Sequence, residues 1–300
     1  SDPFLKKMIN ENLFEKRIAG IYKIQVKHAR IDLLNMGVSI KGIALLPDSS
    51  ENVLKLYPHQ KNIAHINIKR ITVAGIDLFK WFQDKKIDVH KIIIVHPEIK
   101  LVKNTKYSGP HPESLAQTQD TSAQIHRISL DLLKVKDLSI DYYLYNNESP
   151  DLSIHSINLE LDNPVIDPRQ IHHIDKALLV KKIELEVNGI LFKDQKGLYD
   201  ISLQQIIFED SAATIRLKEF KIKPLLNKRK FAAIHPYQSD RFDGKVKEII
   251  ISNLDIDRLL SEEVIAIEKI QISDADMELF RDKNRPFNYN NFPKLPQEAL

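Results

Sequence analysis

The side chains able to do chemistry are histidines and paired carboxylates, and their spacing assembles no reaction centre. Eleven His occur in the 300 residues, chiefly His172-His173, His90 with His96, and His235. A zinc site needs several such ligands converging from one or two elements. No HxH or HxxxH spacing stands beside a carboxylate cluster, so these His read as loop and strand-surface residues. Asp255 with Asp257, and Asp274 with Asp276, each put two carboxylates on one strand face. Neither pair follows a calcium-loop pattern, and both read as capping and turn positions. Gly37 to Gly42 has the first spacing of a phosphate loop but runs on into Ile43-Ala44, without the essential Lys and hydroxyl. No GxSxG elbow is present for a Ser hydrolase, and the absence of Cys excludes disulfides, thiolate metal sites and Cys nucleophiles. The expectation is a protein that is not an enzyme, with no catalytic residues, no metal and no cofactor.

Forty-four basic and 41 acidic side chains leave a net charge of +3, which gives no single-sign field for nucleic acid. The one dense cationic run begins at Asn227 and reads as a solvated loop or a contact for anionic headgroups. Apolar runs such as Ile92 to Val95 are too short to cross a bilayer.

The elements follow a period of two. IYKIQVKHARIDL, VSIKGIALLP, HINIKRITVAG, RISLDLLKVKDLSIDYYLYN, KKIELEVNGILF, YDISLQQIIFED and TIRLKEFKIKP each alternate apolar with polar residues, as strands with one apolar face do. Phe4 to Lys16 has helical spacing instead and predicts an amphipathic helix ending near Gly20. The chain also repeats itself: the segments Val73 to Lys103 and Ile251 to Arg281 match without a gap, including Ile92/Ile270, Ile94/Ile272 and Leu101/Leu279. Short helical turns are predicted over Asp77 to Asp84 and Asp255 to Glu262, each opening with a capping Asp. Trp81 and Phe82 stand where the second copy has Leu259 and Leu260, and read as shared core. Behind each turn the pattern steps by three where two is expected, between Val89 and Ile92, between Ile94 and the Ile99 pair, and at the matching points of the second copy. Such steps predict bulges or strand breaks.

The organisation expected is an N-terminal helix over 1–20, a first β-repeat unit over 21–106, a flexible loop over 107–124, a middle β segment over 125–196, a second unit over 197–284, and a lead-in to a further unit over 285–300. So many one-sided strands with so few helices must form a sandwich, a closed barrel, or a curved sheet holding an apolar ligand. Repetition favours the third. The fold expected is mainly β: an elongated, curved antiparallel β-sheet groove built from repeated units, with the N-terminal helix and a few short helices. The candidate groove residues are Ile92, Ile94, Ile99 and Leu101, with Ile270, Ile272, Met277 and Leu279; plain sheet core is the other reading of the same residues.

The opening from Phe4 to Asp48, the units GIDLFKWFQDKKIDVHKIIIVHPEIKLVKN and LDIDRLLSEEVIAIEKIQISDADMELFRDKN, and the ending PFNYNNFPKLPQEAL resemble AsmA-like proteins of the Gram-negative envelope. Asp77 and Pro97 fit the family's recurring phrase, whereas the second copy has Ala275 in place of the Pro. The resemblance implies a periplasmic protein held at the inner membrane by an N-terminal anchor outside these residues. It also implies a β-groove related to bridge-like lipid-transfer proteins, phospholipid or another acyl-chain lipid as ligand, envelope protein partners, and a role in outer-membrane lipid homeostasis. The alternative expectation is a structural or protein-interaction scaffold of the envelope with a self-contained β core.

Overall fold

The computed structural model describes residues 22–32, 36–48, 60–76, 86–104, 106–107, 109, 127–144, 148–166, 178–194, 197–209, 213–255, 258 and 264–288. The predicted helix over Phe4 to Lys16, the predicted turn over 77–84, Trp81, Phe82, Leu259, Leu260, His172, His173, most of the 107–124 loop and the end of the lead-in lie outside them.

Thirteen strands form one sheet: β1 (Tyr22–Asp32), β2 (Gly37–Pro47), β3 (Asn62–Ile76), β4 (Lys86–Lys103), β5 (Arg127–Tyr143), β6 (Leu152–Asp162), β7 (Val165–Ile166), β8 (Leu178–Leu179), β9 (Lys182–Lys193), β10 (Tyr199–Glu209), β11 (Thr214–Pro224), β12 (Asp240–Ser252) and β13 (Lys269–Arg281). Eleven of them lie side by side in the order β1-β2-β3-β4-β5-β6-β9-β10-β11-β12-β13, while β7 joins the start of β5 and carries β8. Among the described residues the sheet is open, with β1 and β13 as its two ends. The protein is mainly β, as its alternation predicts. Along this path the expectation of antiparallel pairing holds at every joint but one, since β4 and β5 run parallel. A parallel neighbour needs a crossover of about a dozen residues or more. The stretch between Lys103 and Arg127 is the long polar segment that supplies it.

Each strand on the path keeps its apolar residues on one face despite a step of three. The step is absorbed where one residue is left unpaired in the ladder and adopts a left-handed backbone. These residues are Gly42 (φ 64°), His96 (46°), Asp137 (54°), Gly189 (67°), Glu219 (53°) and Asp274 (52°). They sit on alternate strands at the antiparallel joints, so one left-handed residue serves two ladders, as Gly42 does between Val26↔Ile43 and His28↔Lys41 on one side and between Ile68↔Ile43 and Arg70↔Lys41 on the other. The earlier step in β4 sits where His90 lies opposite Gly75 (φ 67°), against which a Cβ would stand 2.5 Å from His90 Cβ. Its expected counterpart in the second copy falls outside the ladder, because β13 begins only at Lys269.

The sequence repeat is a repeat of structure. The hairpin β3–β4 pairs Ile71 with Ile94 and Val73 with Ile92; β12–β13 pairs Ile249 with Ile272 and Ile251 with Ile270, each residue 178 further on. It reaches further back than the matched segments. The hairpin β1–β2 returns as β10–β11 at a shift of 177, with Tyr22↔Pro47 becoming Tyr199↔Pro224. Two four-stranded units therefore flank a middle of β5, β6 and β9.

One whole helix lies within the described residues, α1 (Lys228–Ala233), in the basic run expected to be a loop. Asn227 caps it by accepting the Lys230 N–H at 2.9 Å. Phe231, 2 % exposed, anchors it against Tyr199 and His235, with ring centroids 5.9 and 4.7 Å away. That buried aromatic is why the run folds as a turn of helix. Asp255 also caps as expected, its carboxylate accepting the Arg258 N–H at 2.9 Å.

Candidate functional site

The candidate site is a face. Residues opposite one another in neighbouring strands point to the same side of a sheet, so the ladder registers can be followed from edge to edge. One such row runs Ala29, Ile40, Ile71, Ile94, Val135, Leu159, Leu185, Phe208, Ile215, Ile251, Ile270. A second runs from Ile24 through Ile66, Ile99, Ile154, Leu203 and Val246 to Ala275, and it too is apolar at every strand. The left-handed residues lie between the two rows. Without them, one row would face the opposite side.

All eight candidate residues lie on this face. Ile94 and Ile270 fall in one row, and Leu101 and Met277 share another through Tyr142, Leu152, Phe192, Ile201, Ile222 and Gly244. Ile92, Ile94, Ile99 and Leu101 are half-buried. Ile270, Ile272, Met277 and Leu279 are 54, 60, 52 and 59 % exposed. The two quartets are not brought into contact, being seven strands apart in the sheet. Sequence reasoning missed the residues that join them, on β5, β6 and β9 to β12. Their signal was present in the same form, as in Ile201, Leu203, then Ile206, Phe208.

The opposite face is polar and charge-paired. Lys134 pairs with Glu160, Arg216 with Glu248 at 3.0 Å, Lys247 with Asp274 at 3.4 Å and Lys245 with Asp276 at 3.8 Å. Hydrogen bonds from Lys228 to Glu278 and from Lys182 to Glu184 hold both carboxyls below the usual range. The His65 imidazole is pushed down by burial and then by the Lys100 charge opposite it. The histidines are spread across the fold: His90 meets Asp131 at 2.6 Å, His96 meets Asp137 at 3.6 Å, and His235 meets the Phe231 carbonyl at 2.8 Å. Among the described residues no three His, Asp or Glu side chains gather where they could hold a metal ion, and no described helix is long and apolar enough to cross a membrane.

Prolines aside, only twelve apolar side chains are buried among the described residues, nine of them scattered over the strands and Leu198, Phe231 and Leu254 off them. The arrangement defines an open, one-sided β-sheet protein with a continuous hydrocarbon-compatible surface. No family model matches the chain, and no curated protein matches it.

Proposed function

We propose that this chain is a non-enzymatic, lipid-binding segment of an AsmA-like envelope protein, in which the sheet curves about its apolar face and holds or conducts acyl chains of phospholipid or a similar lipid. The observation carrying this reading is the pair of rows that stay apolar through all eleven strands. Ten inter-strand steps of about 4.8 Å make each row roughly 48 Å long, which exceeds the ~30 Å hydrocarbon thickness of a bilayer. Burying hydrocarbon releases about 0.8 kcal/mol per CH₂, so an acyl chain is an energetically adequate cover for side chains such as Ile272 and Leu279. Apolar lining selects hydrocarbon without reading a headgroup.

The family resemblance supplies the setting: the periplasm, attachment to the inner membrane, and a part in outer-membrane lipid homeostasis. A scaffold with a self-contained core would need a second apolar layer over the rows. The scarcity of buried apolar side chains among the described residues weighs against it.

The test is native mass spectrometry of the purified protein at gentle activation, with lipid identification after denaturation. Phospholipid bound at one or more per chain supports the reading. A bare chain of 34.7 kDa, unchanged after incubation with phospholipid micelles, refutes it.

A further inference from the structure

Strand β13 is the counterpart of β4, and β4 has a neighbour that β13 lacks. The two coincide at a shift of 178 in their hairpin register and in their left-handed residue, His96 in β4 and Asp274 in β13. On its other edge β4 pairs in parallel with β5, Ile92 opposite Leu133 and Ile99 opposite Ile140. Among the described residues β13 ends the sheet. Exposure follows: Ile92 and Ile99 are half-buried, whereas their counterparts Ile270 and Met277 are more than half exposed.

We propose that the outer edge of β13 docks one extended partner segment, running parallel to β13, apolar at alternate positions, with one step of three opposite Asp274 and a basic residue at that step. An unpaired strand edge offers a row of backbone donors and acceptors for such augmentation. The direction follows from β5 on β4. The basic residue follows from charge: where β4 meets β5 the two left-handed residues face each other, His96 Nδ1 lying 3.6 Å from Asp137 Oδ2. Asp274 carries the acid where β4 has His96, so its partner carries a cation where β5 has Asp137. Lys247 approaches Asp274 from the β12 side at 3.4 Å, with both side chains largely exposed, which leaves the outer side for a second cation.

Where β4 gains its parallel neighbour, crossover and strand together span 104–143, more than twice the length of 282–300, so the occupant proposed is a segment outside those residues. A second copy of the chain fits less well. Its other edge strand among the described residues, β1, is the counterpart of β10, whose outer neighbour β9 runs antiparallel. The partner is therefore a strand of β5's chemistry from a distinct segment. The lipid reading concerns the face and this one the edge, so either stands if the other falls.

With no native Cys, Lys269→Cys puts a single thiol at the start of β13. The probe is a synthetic peptide of the Leu132–Tyr143 sequence carrying Asp137→Lys, with a Cys at either end. Fluorescence anisotropy should show saturable binding, about five-fold tighter than for the peptide that keeps Asp at that place. Mild oxidation should link the N-terminal Cys. Asp274→Asn, which retains a residue at ease in the left-handed region, should abolish the preference between the peptides. Linkage through the C-terminal Cys, disulfide-linked dimers of the protein without peptide, the absence of binding, or a preference that survives Asp274→Asn would each overturn the proposal.

Discussion

Tyr22 reaches past β2 and takes on its phenolic oxygen the backbone N–H of Ala64 in β3, at 3.0 Å. The residue opposite Tyr22 is Pro47, with which β2 ends. Proline has no N–H to continue a ladder, and the β2–β3 ladder stops at Leu45↔Ile66. The phenol serves the donor left beyond it. The second unit repeats the device: Tyr199 lies opposite Pro224 and accepts the Phe242 N–H at 3.2 Å. Tyr22→Phe keeps the ring and removes the acceptor. It should lower stability by about 1 kcal/mol, read as a lower urea midpoint with an unchanged slope.

Glu219 occupies the left-handed position that Gly42 holds in the first unit, at φ 53° against 64°. A residue with a Cβ costs about 1–2 kcal/mol there, and its pairing with Lys221 at 3.5 Å is exposed and weak. Glu219→Gly should therefore raise stability by roughly 0.5–1 kcal/mol after the added chain entropy of glycine. Gly42→Ala should lower it, since its Cβ would also stand 2.7 Å from Lys27 Cδ. Thermal unfolding of the two variants beside the parent decides the sign of each.

The alternation of strands, the bulges and the repeated hairpin were legible in the sequence because each has a local period. The apolar face keeps Ile94 and Ile99 together only through a left-handed His96, and the step of three announces that residue. The parallel joint of β4 with β5 was not legible. Its determinant is a long crossover, and Ser, Gly and Pro in that crossover say only that the chain leaves the sheet. Nor could periodicity place Ile94 in the row of Ile270 when their repeat partners are Ile272 and Ile92. The row drifts by two residues along the strands between the units, a stagger set by all the ladders between them. Helix α1 was hidden for a different reason. Its sequence is cationic, and the one residue that holds it, Phe231, is buried by Tyr199 from a distant strand.

Phe231→Ala should expose how far that anchor matters. Removing a buried aromatic costs about 3–5 kcal/mol, and the ring also supports Tyr199, whose phenol serves β12. Hydrogen exchange should quicken at Lys230, Phe231 and Phe242 together. Quickening confined to the helix would show that Tyr199 holds its place without it.

His65 gives the fold an acid-side dependence. Burial and Lys100 lower its folded pKa below the ordinary value of 6.5. The folded state then binds the proton less readily than the unfolded chain, so the contribution is fully present above about pH 6.5 and is lost as pH falls through the folded pKa. His65→Gln should flatten that part of the profile. Denaturation midpoints measured from pH 8 down to pH 5 for both proteins should differ in slope below pH 6.5 and run parallel above it.

Acidic substitution on the apolar face separates folding from ligand contact, because the two candidate quartets differ in exposure. Ile272 is 60 % exposed, so Ile272→Asp removes little protein packing and should shift stability by no more than about 0.5 kcal/mol. Ile94 is half-buried between Ile71 and Val135, and Ile94→Asp should cost about 1–3 kcal/mol through an ill-solvated carboxylate. If hydrocarbon lies along the rows, both variants should lose co-purifying lipid, Ile272→Asp doing so with its unfolding curve intact. Lys247→Asp, on the opposite face, is the control and should retain lipid. Full retention by folded Ile272→Asp would remove β13 from the lipid surface.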